Sequence, residues 1–120
     1  MSSMRTQRVA DELKRVLGDI FLKDFPVSHF GLLTVTRVIC SSDLRQAKVY
    51  ISVYNKNSDF RKKAIRYIRN KSSRIRNILA RKIVLKNTPK LIFFEDDSQE
   101  YAEKIERLIQ SLHSERSESA

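Results

Sequence analysis

Residues 32–54, LLTVTRVICSSDLRQAKVYISVY, contain two strand-like stretches joined by a turn-forming sequence. Leu32 to Ser41 is rich in β-branched residues, which favour strands. In Ala47 to Tyr54, small or aliphatic residues alternate with polar or aromatic ones, so that one face can be buried. The connection, which begins Ser42-Asp43, is rich in turn-forming residues and short. The two strands are therefore predicted to form an antiparallel hairpin.

The segment before the hairpin has the periodicity of an amphipathic helix. From Ser3 to about Leu22, apolar side chains recur at helical spacing and form one stripe. Pro26 and Gly31 follow, and these residue types interrupt regular structure. We therefore expect a helix, then a loop, then the hairpin.

The segment after the hairpin predicts two helices with a break between them. The first is amphipathic, with Ser58 or Asp59 as its N-cap. The pattern breaks at Lys71-Ser72-Ser73, where a serine hydroxyl could accept a hydrogen bond from a free backbone N–H. It resumes at Ile75, and Thr88-Pro89 is predicted to end the second helix.

The rest of the chain predicts a third strand and a last helix. Leu91 to Glu95 is an apolar stretch typical of a largely buried strand, and Phe93 and Phe94 are predicted to be core residues rather than base-stacking platforms. Asp97 and Glu100 are a predicted capping pair for a helix through Leu112. The prediction is one α+β domain over residues 1–113, with residues 114–120 as a disordered tail.

Positive charge is concentrated in one part of the chain. The sequence has 24 Lys+Arg against 14 Asp+Glu, a net charge of +10. Residues 60–90 contain twelve of the cations and no acid. Cations on a merely solvated helix are usually interleaved with acids, so the segment predicts a polyanionic partner, most simply nucleic acid. A membrane surface is disfavoured because the apolar faces are needed to cover the sheet.

The break between the two helices is the predicted centre of RNA binding. A helix N-terminus there would present free N–H groups and a positive dipole end to a phosphate, although an ordinary surface kink explains the pattern equally well. The predicted RNA-binding residues are Arg66, Arg69, Lys71, Ser72, Ser73, Arg74, Arg76, Arg81, Lys82 and Lys86.

No pattern in the sequence indicates catalysis. Glu95-Asp96-Asp97 is more typical of a helix cap than of a magnesium site, although a small metal-dependent nuclease is the enzyme alternative. His29 and His113 are far apart in sequence, and Cys40 is predicted to be a core or near-core residue. We predict no catalytic residue, no metal and no cofactor. With neither a secretory signal nor a long apolar run, the protein is expected to be cytoplasmic. We also expect a monomer.

Several short motifs together resemble the ribosome-binding factor A family. They are Thr6-Gln7-Arg8-Val9-Ala10, Leu33 to Val38, Ser42-Asp43-Leu44, Ala47 to Val53, Ile75 to Leu79, Thr88 to Leu91 and Phe93 to Ser98. The resemblance covers about residues 5–112. It implies a type II KH-like fold, α-β-β-α-kink-α-β with a C-terminal helix and with the helices packed on one face of a three-stranded sheet.

The same resemblance implies a function without catalysis. A member of this family is expected to bind the small (30S) ribosomal subunit and to assist its late maturation and the processing of its 16S rRNA precursor, with a role in cold adaptation. The family's kink is of Ala-x-Gly type, whereas Lys71-Ser72-Ser73 stands here. The alternative is a protein-interaction module whose acidic last helix, with Glu100, Glu103 and Glu106, contacts a ribosomal protein or an assembly GTPase.

Overall fold

The computed structural model describes residues 3–97 and 105–112. The elements in chain order are α1 (Met4–Asp24), α2 (Val27–Phe30), β1 (Leu32–Cys40), β2 (Gln46–Tyr54), α3 (Ser58–Asn70), α4 (Ser72–Lys82) and β3 (Lys90–Glu95). Residues 105–112 are also helical. The α+β class, the order of the main elements and the three strands agree with the sequence prediction, whereas the predicted cap residue Glu100 and the tail from residue 114 lie outside the described residues.

The sheet has the order β1-β2-β3. β1 and β2 form the predicted antiparallel hairpin, and β3 lies parallel to β2. A parallel neighbour requires a crossover connection, which α3 and α4 provide. The long helices α1, α3 and α4 contact the sheet, and between them lies one hydrophobic core that includes Leu17, Phe21, Val49, Ile68 and Phe93. The opposite face of the sheet, which we call the outer face, carries the alternate side chains of the strands.

A β-bulge divides β1 into two halves with opposite side-chain alternation. Leu33 and Val35 are buried before it, and Val38 and Cys40 are buried after it. The register with β2 shifts between Val35 and Arg37, so that Thr36 is the extra residue. Cys40 is in the core as predicted, and burial raises the pKa of its thiol.

Two helix boundaries differ from the predictions. The N-cap of α3 is Asn57, whose side chain accepts hydrogen bonds from the N–H groups of Asp59 and Phe60; Ser58 and Asp59 are inside the helix. The predicted end of α4 at Thr88-Pro89 is wrong, because the helix stops at Lys82 and Ile83 is extended. Six more helical residues would carry the chain about 9 Å farther along the helix axis, at 1.5 Å per residue. The chain must instead return to begin β3 beside Gln46.

The loop before β1 is more ordered than predicted. It contains the single-turn helix α2 and ends at Gly31, whose φ of 72° lies in the region that glycine tolerates and other residues avoid. A Cβ at this position would lie 3.2 Å from the carbonyl oxygen of Tyr54. Glycine therefore allows the chain to enter β1 close to the end of β2.

Candidate nucleic-acid interface

The two basic helices α3 and α4, which we call the basic helix pair, meet at a single residue. α3 ends at Asn70, α4 begins at Ser72, and Lys71 between them has φ −99° and ψ 11°. Its N–H group donates to the carbonyl oxygens of Tyr67 and Ile68 at 3.1 and 3.0 Å, and its own carbonyl accepts from the N–H of Ile75 at 2.9 Å. The break in the sequence pattern is therefore present but is confined to Lys71, and both serines belong to α4.

Each helix of the pair buries one apolar stripe and exposes the rest. Ile65 and Ile68 of α3 and Ile75 and Leu79 of α4 are in the core. The buried stripes turn the remaining surfaces, which carry the cations, towards solvent.

Three of the predicted RNA-binding residues form hydrogen bonds with backbone carbonyls of β3 or of the segment that leads into it. Arg69 donates from Nε to the carbonyl oxygen of Phe93 at 3.0 Å. The hydroxyl of Ser72 donates to the carbonyl oxygen of Leu91 at 3.3 Å. Arg76 donates from Nε and Nη2 to the carbonyl oxygen of Thr88, at 3.2 and 2.7 Å. The prediction that a serine here would accept from a backbone N–H is wrong for Ser72, because its half-buried hydroxyl meets a strand carbonyl.

These contacts have a structural role. β3 is an edge strand, and unpaired carbonyls on an edge strand invite pairing with another chain. Arg69 and Ser72 each satisfy a carbonyl of β3, and Arg76 satisfies one in the segment that leads into β3. They therefore protect this edge and join the basic helix pair to the sheet.

Apart from Lys71, the other predicted cations are unpaired within the described part of the chain. Arg66, Arg74, Arg81 and Lys82 are exposed on the basic helix pair. Lys86 is also exposed, but it lies in the irregular segment after α4 rather than on the helix. Lys62 and Lys63, which were not among the predicted residues, add two more exposed cations on α3. Unpaired cations without intervening acids produce a positive potential that attracts phosphate.

An aromatic contact positions Lys71. Its Nζ lies 5.6 Å from the centroid of the Tyr67 ring, a cation–π distance. Tyr67 is 41% exposed and packs on Phe30, with ring centroids 4.8 Å apart, and on Phe25 at 6.1 Å. Tyr67 was not predicted as part of the site. The signal was its position one helical turn before Lys71.

The acidic residues at the end of β3 and directly after it are used in local contacts. Glu95 forms an ion pair with Arg61, at 3.3 Å between Oε2 and Nε. The backbone N–H of Asp96 donates to the carbonyl oxygen of Ile51 at 2.7 Å, and its carboxylate accepts from the Thr36 hydroxyl. Among residues 3–97 and 105–112, no group of three His, Cys, Asp or Glu side chains could hold a metal ion.

The outer face of the sheet carries a row of three side chains that the sequence analysis did not anticipate. Arg37 lies over the ring of Tyr50, 4.4 Å from its centroid, and Tyr50 stacks on Phe94 with centroids 5.3 Å apart and an interplanar angle of 24°. Phe93 is in the core as predicted, whereas Phe94 is only half-buried and faces the other way. Strand alternation allows only one of two adjacent residues to point towards the helices.

Comparison with known proteins gives matches over most of the chain. A family model described as ribosome-binding factor A matches residues 5–109. The crystal structure of ribosome-binding factor A from Thermus thermophilus is 26% identical, with a TM-score of 0.63 over 75% of this chain and 94% of that one. A Thermus thermophilus homology model fitted into the cryo-EM map of a 30S–RbfA complex is 26% identical, with a TM-score of 0.60 over 71% and 88%.

A solution structure also supports the fold. It is the NMR structure of a Thermotoga maritima protein described as a putative ribosome binding factor A, and it is 21% identical. Its TM-score is 0.67 over 82% of this chain and 94% of the other.

In the part of the chain that the structure describes, no helix is long and apolar enough to cross a membrane.

Proposed function

Because the chain belongs to the ribosome-binding factor A family, we propose that it binds the small ribosomal subunit by docking its basic helix pair on rRNA phosphates. Binding would assist late maturation of the subunit and processing of its RNA. The observation that carries the proposal is the set of exposed, unpaired cations that α3 and α4 carry within residues 60–90, a stretch without acids. The fit of a similar protein into the map of a 30S complex supports the choice of partner.

The predicted residues divide into two groups under this proposal. Arg66, Arg74, Arg81 and Lys82 have free charged groups and would contact phosphates directly, with Lys86 beside them. Arg69, Ser72 and Arg76 would mainly hold the pair against β3, although each arginine keeps further N–H donors for a phosphate. Lys71 would act at the junction, and the exposed hydroxyl of Ser73 in the first turn of α4 is close to it in sequence.

Recognition would depend on RNA shape rather than on a sequence code. Lysine and arginine contacts to phosphates fix the position of a protein on RNA and carry no sequence information. A rigid helix pair joined to a sheet presents its cations at fixed spacing, which suits a folded RNA surface.

A protein contact by the last helix is a second candidate function. Leu108 is 56% exposed and Leu112 is 61% exposed on residues 105–112, and Glu106 is exposed on the same helix. Exposed leucines beside acidic groups are suited to a basic, partly apolar protein surface. Such a contact with a ribosomal protein or an assembly GTPase is compatible with RNA binding by α3 and α4.

Charge reversal tests the primary proposal. A variant with Arg74→Glu, Arg81→Glu and Lys82→Glu should lose co-sedimentation with small ribosomal subunits. The slope of log affinity for small-subunit RNA against log salt should fall by about 2, because roughly 0.7–0.9 of a counterion is released per phosphate contact. An unchanged affinity and slope would overturn the assignment of this surface.

The control variant changes net charge by the same amount elsewhere. Lys14→Glu, Lys23→Glu and Lys56→Glu reverse three exposed cations outside the basic helix pair. This variant should retain co-sedimentation and most of the salt slope, since only the long-range field changes. Equal losses in the two variants would show that net charge alone, rather than this surface, drives binding.

A further inference from the structure

The outer face of the sheet has the features of a second binding surface. Its central row, Arg37, Tyr50 and Phe94, runs across all three strands, because Arg37 pairs with Tyr50 and Tyr50 pairs with Phe94 in the sheet register. One ring face of Phe94 stacks on Tyr50. β3 has no further strand beyond it in the described sheet, so no strand of the described sheet lies against the other ring face of Phe94.

The bulge in β1 builds this row. Leu33 and Val35 point into the core, and uninterrupted alternation would direct Arg37 into the core as well. The extra residue Thr36 reverses the alternation and places Arg37 over Tyr50. The Thr36 hydroxyl lies 3.2 Å from the carbonyl oxygen of Tyr50, which ties the bulge to β2. Bulges commonly re-aim a side chain next to a functional site.

The charge on this face favours an anionic ligand. The residues that point outward from the three strands include the cations Arg37, Lys48 and Lys90 and no Asp or Glu. Lys48 is on the neighbouring row, between Ile39 and Ile92. Asp96, which directly follows β3, lies on the other side of the central row and accepts a hydrogen bond from Thr36. A ligand with its aromatic part on Phe94 and its anionic part near Lys48 would avoid that acid.

We propose that the outer face stacks an unpaired RNA base on Phe94, with the adjoining phosphate beside Lys48. Aromatic rings flanked by cations are the usual platform for single-stranded RNA. The inference rests on the proposed function and extends it to a second surface. The two surfaces meet at β3, because Arg69 of the basic helix pair bonds to the carbonyl of Phe93, the residue next to Phe94. One RNA strand can therefore cross the edge of β3 and contact both.

A tryptophan introduced at one position provides a direct fluorescence test, because the natural chain contains no tryptophan. Phe94→Trp retains a stacking ring and introduces a fluorescent reporter. Its emission should be quenched by a single-stranded oligoribonucleotide of about ten nucleotides, and not by a ribose-phosphate oligomer of the same length without bases. Leu22→Trp, on the exposed surface of α1, should show no quenching by either. If the oligoribonucleotide binds while the emission of the Phe94→Trp protein is unchanged, the stacking inference is wrong.

A binding experiment separates stacking from phosphate contact. Phe94→Leu should weaken binding of the single strand about tenfold, because one base loses its platform, and should leave binding of duplex RNA unchanged. The control Ile92→Leu, on the same strand and face, should change neither. An equal loss for both RNAs would indicate structural damage and would overturn the inference.

The outcomes also distinguish the inference from the proposed function. If the charge-reversal variant loses RNA while Phe94→Leu binds normally, the proposed function stands and the stacking site is wrong. If the unaltered protein binds no RNA, both fall together. If the introduced indole responds to intact small subunits but to no single-stranded RNA, the face contacts another component of the subunit and the inference is wrong.

Discussion

Arg74 and Arg76 lie two residues apart on α4 and are both exposed, but their contacts differ. The Arg76 guanidinium donates twice to the Thr88 carbonyl, whereas Arg74 is unpaired within the described residues. Replacing each in turn with methionine removes the charge and keeps much of the aliphatic stem. We therefore expect Arg76→Met to lower stability and Arg74→Met to lower RNA affinity alone.

The magnitude for Arg76→Met follows from its contacts. A hydrogen bond from a charged donor contributes about 1.5–3 kcal/mol where it is shielded. This one is exposed, and water can replace the guanidinium at the carbonyl, so we expect a loss of about 1 kcal/mol in the free energy of unfolding. In a domain of this size, that loss corresponds to a decrease in Tm of about 4 °C. Arg74→Met should change the free energy of unfolding by less than about 0.5 kcal/mol.

Urea unfolding followed by far-ultraviolet circular dichroism measures the stability of each variant, and a salt series measures RNA binding. Arg74→Met should reduce the salt slope by about 0.7–0.9, the contribution of one phosphate contact. Equal destabilisation by both substitutions would refute the division into structural and RNA-contacting arginines. So would an Arg76→Met protein as stable as the parent with a larger binding defect than Arg74→Met.

Three further predictions concern the scaffold. Asn57→Ala should cost about 1 kcal/mol because the cap of α3 is lost, and Asn57→Asp should restore most of it in the same urea assay; equal stability of all three proteins would contradict the cap. Gly31→Ala should lower stability by more than about 1 kcal/mol, since φ is positive and the Cβ approaches Tyr54; an unchanged midpoint would argue against this backbone. Burial raises the pKa of Cys40, so its thiol should react slowly with iodoacetamide near pH 8. The reaction should become faster as the pH rises through the elevated pKa, and it should be fastest in urea, where the thiol is exposed. Rapid labelling of the folded protein near pH 8 would show that the thiol is not buried.

Local patterns were enough to predict the main elements. Alternation in β2 and the short connection specify a hairpin because both are properties of neighbouring residues. The apolar stripe of α1 is likewise a local signal. The acid-free cations of residues 60–90 identify the candidate surface because charge distribution is visible without coordinates.

The errors occurred where distant parts of the chain determine the outcome. The end of α4 depends on where β3 must begin, and no local signal at Lys82 reports that distance. Asn57 was overlooked because it is followed by Ser58 and Asp59, and all three residue types can cap a helix. Which of them is the N-cap depends on the backbone conformation at the start of α3. Phe94 was expected in the core because a short apolar strand does not reveal which of its faces is covered.

Residue type and short-range spacing were enough to predict the fold class, the hairpin and the location of the positive charge. Only the tertiary structure separated the arginines that bond to β3 and its lead-in segment from those that remain free, because that distinction depends on carbonyls far along the chain. Only the tertiary structure brought Arg37, Tyr50 and Phe94 into one row, since a one-residue bulge reverses side-chain direction and leaves little trace in composition.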